Sequence, residues 1–272
     1  MARHSRTPKW LQAARARQGA PANDWLLRAL GRAGILPQLQ AEEALRDGRV
    51  KIDGRVVREA LTPVNDSMRV QLDGREVSLK ARTLVLAFNK PAGVVTAASD
   101  AESIGTVFEV LFRTLPKELQ NYAWHAVGRL DRDTTGLLLF TNDEQFVAYA
   151  TSPESKLPKT YVARVSGKVT PEKLKLLSDG VDLDDGYTRP AQATQLEENV
   201  VQLVLTEGRN HQVKRMLNVV GLPTLQLHRD FVGSLQVDVP ESEFRLLTDA
   251  EVKEKFNYEP RHLRTETPEE KA

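Results

Sequence analysis

The sequence predicts an α+β protein of two domains, a small basic one followed by a larger one. Three observations predict it. Two Asp-Gly dipeptides, at 53–54 and 73–74, sit inside alternating apolar and polar residues just after helical patterns. From Leu84 onward, strand-like and helix-like stretches are interleaved. The charge balance also reverses: residues 1–82 hold 16 Lys and Arg against 9 Asp and Glu, leaving 22 against 28 in the rest. At 272 residues and 40% hydrophobic content, the chain can fill two cores.

Before Asp24, five basic residues (Arg3, Arg6, Lys9, Arg15, Arg17) stand without an acidic one among Ser, Pro, Gln and Ala, so residues 1–23 read as a disordered basic arm. Trp25, Leu26, Ala29, Leu30 and Ala33 then recur at helical spacing, and Gly34 supplies a stop. A second, short helix is expected from about Gln38 to Asp47. Val50–Val57 and Val70–Val77 each alternate around Asp-Gly, which tolerates positive φ, and each reads as a hairpin. Residues 24–82 therefore form a compact module with a basic excess, which suits a polyanionic partner.

The larger domain is expected over 83–258. Strands are predicted at Leu84–Asn89, Leu137–Thr141, Thr160–Ser166, Val200–Thr206 and Thr224–His228. Helices are predicted at Thr106–Arg113, Glu144–Ala150, Pro171–Ser178 and His211–Val220. In the last of these, Val213, Met216, Leu217 and Val220 make a core stripe, while His211, Lys214, Arg215 and Asn218 line another face. Residues 259–272 are polar, contain two prolines and read as a loose tail.

Several chemistries lack their hardware. There is no cysteine, so no disulfide, thiolate metal site or cysteine nucleophile. Walker, Gly-x-Gly-x-x-Gly, Gly-x-Ser-x-Gly and His-Glu-x-x-His motifs are absent, and no metal or cofactor is expected. No apolar stretch reaches membrane-span length, so a soluble cytoplasmic chain is expected. One segment stands out: a polar loop, Gly128-Arg129-Leu130-Asp131-Arg132-Asp133, runs straight into the apolar strand at Leu137. That arrangement holds two aspartates at the mouth of a sheet. On the residues alone, either aspartate could serve chemistry or bond its own turn.

Gly-Arg-Leu-Asp-x-Asp-Thr-Thr-Gly-Leu-Leu-Leu, at 128–139, resembles the signature of the bacterial ribosomal small-subunit and large-subunit pseudouridine synthases. The resemblance extends to Asn89-Lys90-Pro91-Ala92-Gly93, Lys159-Thr160-Tyr161, 206–216 and Leu227-His228-Arg229, covering nearly all of Leu84 to Thr248. It implies a mixed, mainly antiparallel catalytic domain that isomerises uridine to pseudouridine in ribosomal RNA without a cofactor. It further implies Asp131 as the catalytic carboxylate, Tyr161 as a stacking platform for the target uracil, and Lys214 as a cation that keeps Asp131 ionised. Asp133 is then left to the turn. Arg129 is the candidate to brace the space vacated by a flipped nucleotide, with Arg209 and Arg215 as further RNA contacts.

Residues 24–80 resemble, less specifically, the S4-like RNA-binding module that precedes the catalytic domain in these synthases. The match is good at 48–54. It departs at Pro37-Gln38-Leu39-Gln40, where the module usually opens its second helix with Ser-Arg. RNA contact is accordingly assigned to Arg46, Arg49, Lys51 and Arg55. The expected partner is ribosomal RNA or a pre-ribosomal particle, bound by a monomer. The wording of 133–136 and 211–216 favours small-subunit over large-subunit RNA. The alternative is a non-catalytic RNA-binding or ribosome-assembly factor that retains the synthase fold.

Overall fold

The computed structural model describes residues 24–65, 67–97 and 105–263. They fall into two compact units, 24–83 together with Pro116–Trp124, and 84–115 together with 125–263. The basic arm expected at 1–23 lies outside the described residues.

In the first unit, β1 (Asp24–Trp25) leads into α1 (Leu26–Arg32) and α2 (Gln38–Arg46). Leu26, Ala29 and Leu30 of α1 pack with Ala41, Ala44 and Leu45 of α2 over Val50, Val64, Val70 and Leu79. β2 (Val50–Ile52), β3 (Arg55–Val56), β5 (Val70–Leu72) and β6 (Arg75–Val77) form a sheet in the order β3-β2-β5-β6, while β4 (Pro63–Val64) pairs with β1. Both hairpins turn at Asp-Gly, with φ of 48° and 81° at 53–54 and 53° and 78° at 73–74. Both central residues are thus left-handed, as a twist-matched two-residue turn demands.

Pro116–Trp124, expected inside the larger domain, belongs instead to this first unit. The reason is local. The Ala123 N–H donates to Gly31 O at 2.9 Å, and the Tyr122 ring lies so close to Gly34 that a Cβ there would meet ring carbons at 2.5 Å. Gly34 therefore ends α1 and also makes room for an aromatic ring.

The second unit is built on one twisted sheet. Its main path runs β13 (Gln192–Glu197), β14 (Val200–Leu205), β10 (Lys159–Val165), β15 (Thr224–Val232), β9 (Thr134–Thr141), β7 (Val85–Lys90), β17 (Phe244–Leu246). β8 (His125–Ala126) adds to β9 and β16 (Leu235–Gln236) to β15. Every pairing in it is antiparallel except β9 with β15. Val85, Leu86, Ala87 and Phe88 are all 0% exposed, so β7 is covered on both faces, as its unbroken apolar run requires. α3 (Val107–Thr114) buries Val107 and Leu111. Phe146, Val252 and Phe256, from α4 (Glu144–Thr151) and α7 (Asp249–Phe256), cover Val85, Ala87, Leu137 and Leu139. Leu177 of α5 (Pro171–Asp179) and the apolar stripe of α6 (Gln212–Val219) pack with Ala163, Val201 and Leu203. A short hairpin, β11 (Asp182–Leu183) and β12 (Gly186–Tyr187), projects after α5.

Three expectations change. β9 starts at Thr134 and β15 runs on to Val232, because both remain paired beyond their apolar cores. β13 and α7 were not expected: the strand is polar and mostly exposed, and the helix carries a weak apolar stripe. The tail expected from Glu259 begins as packed structure, since Glu259 pairs with Lys253 at 2.9 Å and His262 with Asp249 at 2.9 Å. Residues 264–272 lie outside the described residues.

Candidate active site

The polar loop between β8 and β9 is clamped from two sides. The Thr96 hydroxyl donates to Leu130 O at 2.9 Å and accepts from the Leu130 N–H at 3.2 Å. Lys90, at the end of β7 and fully buried, donates from Nζ to the carbonyls of Pro91 (2.9 Å), Arg132 (3.2 Å) and Thr134 (2.9 Å). Burial pulls this ammonium down to about 8, while the Asp133 and Asp131 carboxylates pull the other way. The Gly93 N–H adds a bond to Arg132 O at 2.8 Å. Asp131 is thus held on a loop whose flanking carbonyls are fixed. Lys90 was legible only as part of a motif, with no role attached.

The Asp131 carboxylate meets Lys214 Nζ at 3.1 Å through Oδ2 and lies 3.4 Å from His211 Nε2 through Oδ1. Asp131 and Lys214 side chains are each 25% exposed, in reach of solvent yet partly shielded. Lys214 is held there because Val213, Met216 and Leu217 bury the opposite face of α6. His211, which precedes α6 with a left-handed φ of 48°, brings its ring to the same carboxylate. The sequence offered no signal for that backbone state. Asp133, read as a turn residue, is corrected here: its Oδ1 takes Lys214 Nζ at 2.5 Å, the shorter of that lysine's two contacts. Its carboxyl is lowered, first by that hydrogen bond. Burial would lower Lys214, but the bonds from Asp133 and Asp131 outweigh it and the ammonium is raised.

Tyr161, on β10, sits across from Leu203 of β14 and Arg229 of β15. Two hollows meet beside Asp131, and Tyr161 and Arg129 line both. The smaller, of about 60 Å³, reaches Lys214, and the larger, of about 490 Å³, reaches Lys159 and Arg229. Arg129 is exposed and has no ion-pair partner among the described residues. Gly136, after the loop, has φ 102° and lies so close to β15 that a Cβ would be 2.3 Å from Arg229 O. Only glycine lets the two parallel strands approach there.

Arg209 and Arg215, taken from the sequence as RNA contacts, are engaged within the protein. Arg215 Nη2 meets Asp185 Oδ1 at 2.5 Å, and Arg209 donates to Gly186 O at 2.8 Å and Tyr187 O at 2.6 Å. The Arg215 hydrogen bond holds the Asp185 carboxyl at about 2. In the first unit, Arg49 is paired with Asp73 at 2.6 Å, whereas Arg46, Lys51 and Arg55 have no ion-pair partner among the described residues. Among the described residues no group of three or more His, Asp or Glu is placed to hold a metal ion, and no helix is long and apolar enough to cross a membrane.

A family model described as RNA pseudouridylate synthase matches residues 84–219. The chain is similar to the ribosomal large subunit pseudouridine synthase B of Bacillus subtilis (strain 168), with 34% identity over 235 residues, 84% of this chain and 93% of that one. It is also similar to the ribosomal small subunit pseudouridine synthase A of Yersinia pestis, with 36% identity over 223 residues, 80% of this chain and 92% of the relative. A crystal structure of a pseudouridylate synthase shares 30% identity at a TM-score of 0.59, covering 85% of this chain and 99% of that one. The second unit, with its clamped aspartate loop, therefore has the pseudouridine synthase fold, and the chain belongs to the RNA pseudouridine synthases, isomerases of uridine in RNA.

Proposed function

We propose that this enzyme converts one uridine of ribosomal RNA to pseudouridine, with Asp131 as its carboxylate and the small-subunit RNA as its target. The observation that carries the reading is the contact of Asp131 with Lys214 at 3.1 Å beside a hollow lined by Tyr161. In the isomerisation the N1–C1′ bond breaks, the uracil turns, C5 bonds to C1′, the C5 proton leaves and N1 is protonated. Nothing is oxidised and no group is imported. An ionised Asp131 acts at C1′, as nucleophile or as stabiliser of positive charge. Lys214 and His211 orient it, and Tyr161 stacks on the base once it has been flipped out of the RNA.

Two names among the relatives point to different ribosomal subunits, so the target is the open variable. The test is to map pseudouridines in both ribosomal RNAs from a strain lacking this gene, and to restore the missing one with purified protein. One absent small-subunit pseudouridine is the expected result. An absent large-subunit one would move the target, and an unchanged map in both RNAs would overturn the reading.

A further inference from the structure

Besides Arg129, Arg132 and Arg209, the larger hollow beside Asp131 is lined by two basic residues that no step above uses, Lys159 and Arg229. Arg229 is 4% exposed, and its Nε donates to Leu137 O at 2.7 Å. Its Nη2 is buried and donates to no acceptor among the described residues. Lys159 Nζ meets Ala150 O at 3.2 Å. Neither cation has an ion-pair partner among the described residues, and Val95, Val127 and Val232 supply apolar wall around them. Two like charges in such a setting raise each other's cost unless an anion joins them.

The reaction makes one such anion. When N1–C1′ breaks, the bonding pair stays with the base, and the charge spreads over N1 and the carbonyl oxygens. That anion must remain in the site and turn before its C5 reaches C1′. Arg229 stands across the ladder from Tyr161, and all three side chains line the same hollow. We propose that Lys159 and Arg229 form the subsite that holds the detached uracil anion, taking charge from its carbonyl oxygens while the ring turns against Tyr161. The subsite rests on the isomerase reading above. A backbone phosphate is the competing anion, but reaching a guanidinium so deeply buried would draw the phosphodiester chain in with it.

The test uses full-length protein and a target RNA fragment carrying either uridine or 5-fluorouridine at the modified position. Lys159→Met carries it, because Arg229 also braces Leu137 O and its removal endangers the fold. Single-turnover loss of uridine should slow by about 10²–10³-fold, the usual effect of deleting one such electrostatic donor. RNA affinity should match wild type, and the thermal midpoint should not fall below it. Fluorine makes the departing base a more stable anion, so the deficit of the variant in consuming 5-fluorouridine should be at least about tenfold smaller. Arg229→Lys, provided it melts like wild type, should show the same pattern. Equal deficits on both substrates would overturn the subsite in favour of a structural role. A deficit confined to RNA affinity would overturn it in favour of phosphate binding. Wild-type protein inactive on the uridine fragment would overturn the target reading, and the subsite with it.

Discussion

Asp131→Asn keeps the shape of the side chain and removes its charge, so it isolates the carboxylate. If Asp131 supplies even ~8 kcal/mol, the low end of enzymatic barrier reduction, turnover falls roughly a millionfold. The expected outcome is a folded, RNA-binding protein that makes no pseudouridine in a mapping assay. Retained activity would remove Asp131 from the mechanism. Asp133→Asn is the informative neighbour, since the structure makes it a second acceptor for Lys214 at 2.5 Å. Losing it leaves Lys214 to Asp131, and a loss of no more than about tenfold is expected, as for a weakened orienting contact. A pH prediction belongs here too. Burial holds Lys90 and Lys159 at about 8, below the free value of 10.5, so the unfolded chain binds more protons between those values. Each group thus destabilises the fold below about 8, and stability rises as pH climbs toward 10.5. Wild type should gain urea stability relative to Lys159→Met across that window, and a constant difference would count against the shift. At this scale the sequence made Asp131 and Lys214 legible through motifs. It hid His211 and the sharing of Lys214, which depend on one left-handed residue and on loop closure.

Among the elements, α6 was legible because its 3.6-residue repeat is unbroken, and its expected core residues are buried. β13 was not, because a polar, mostly exposed edge strand carries no alternation. α7 could have been found from Thr248 and Glu251, whose side chains form a capping box. The contact between α6 and the β11–β12 hairpin was invisible, because nothing in a sequence pairs Asp185 with arginines more than twenty residues away. That contact has a consequence for RNA. Asp185 occupies the Arg215 fork and part of Arg209, so a phosphate must displace a carboxylate to use either. Asp185→Asn should therefore tighten RNA binding and steepen its salt dependence, by about 0.7–0.9 in log–log slope for each cation freed. Fluorescence anisotropy over a salt series reads both quantities. Weaker binding with a flatter slope would mean that the latch preorganises the arginines for RNA.

Across the whole molecule, charge reversal is the feature most plainly written in the sequence, with the basic excess before residue 83 and every motif of the isomerase after it. Five of the seven net positive charges in that excess stand before Asp24, and residues 24–82 keep a slight excess, 11 Lys and Arg against 9 Asp and Glu, in line with recruitment of RNA by the first unit. Deleting residues 1–82 is a poor test of that idea. Pro116–Trp124 belongs to the first unit, so the deletion would strip Tyr122 and Ala123 of their contacts with Gly34 and Gly31 and confuse folding with binding. Charge removal is cleaner. Arg46, Lys51 and Arg55 lack ion-pair partners among the described residues, whereas Arg49 is held by Asp73 at 2.6 Å. If the three free cations each neutralise one phosphate, changing all three to Gln should flatten the log–log salt slope by roughly 2–3 and weaken binding at low salt. Arg49→Gln alone should change it less, since gaining a phosphate there means losing Asp73. Single-turnover rates at saturating RNA should stay at the wild-type value in both variants, because the reacting groups lie in the other unit. An unchanged salt slope in the triple variant would show that RNA is held elsewhere, and a slowed saturating rate would show that this unit also shapes the catalytic step.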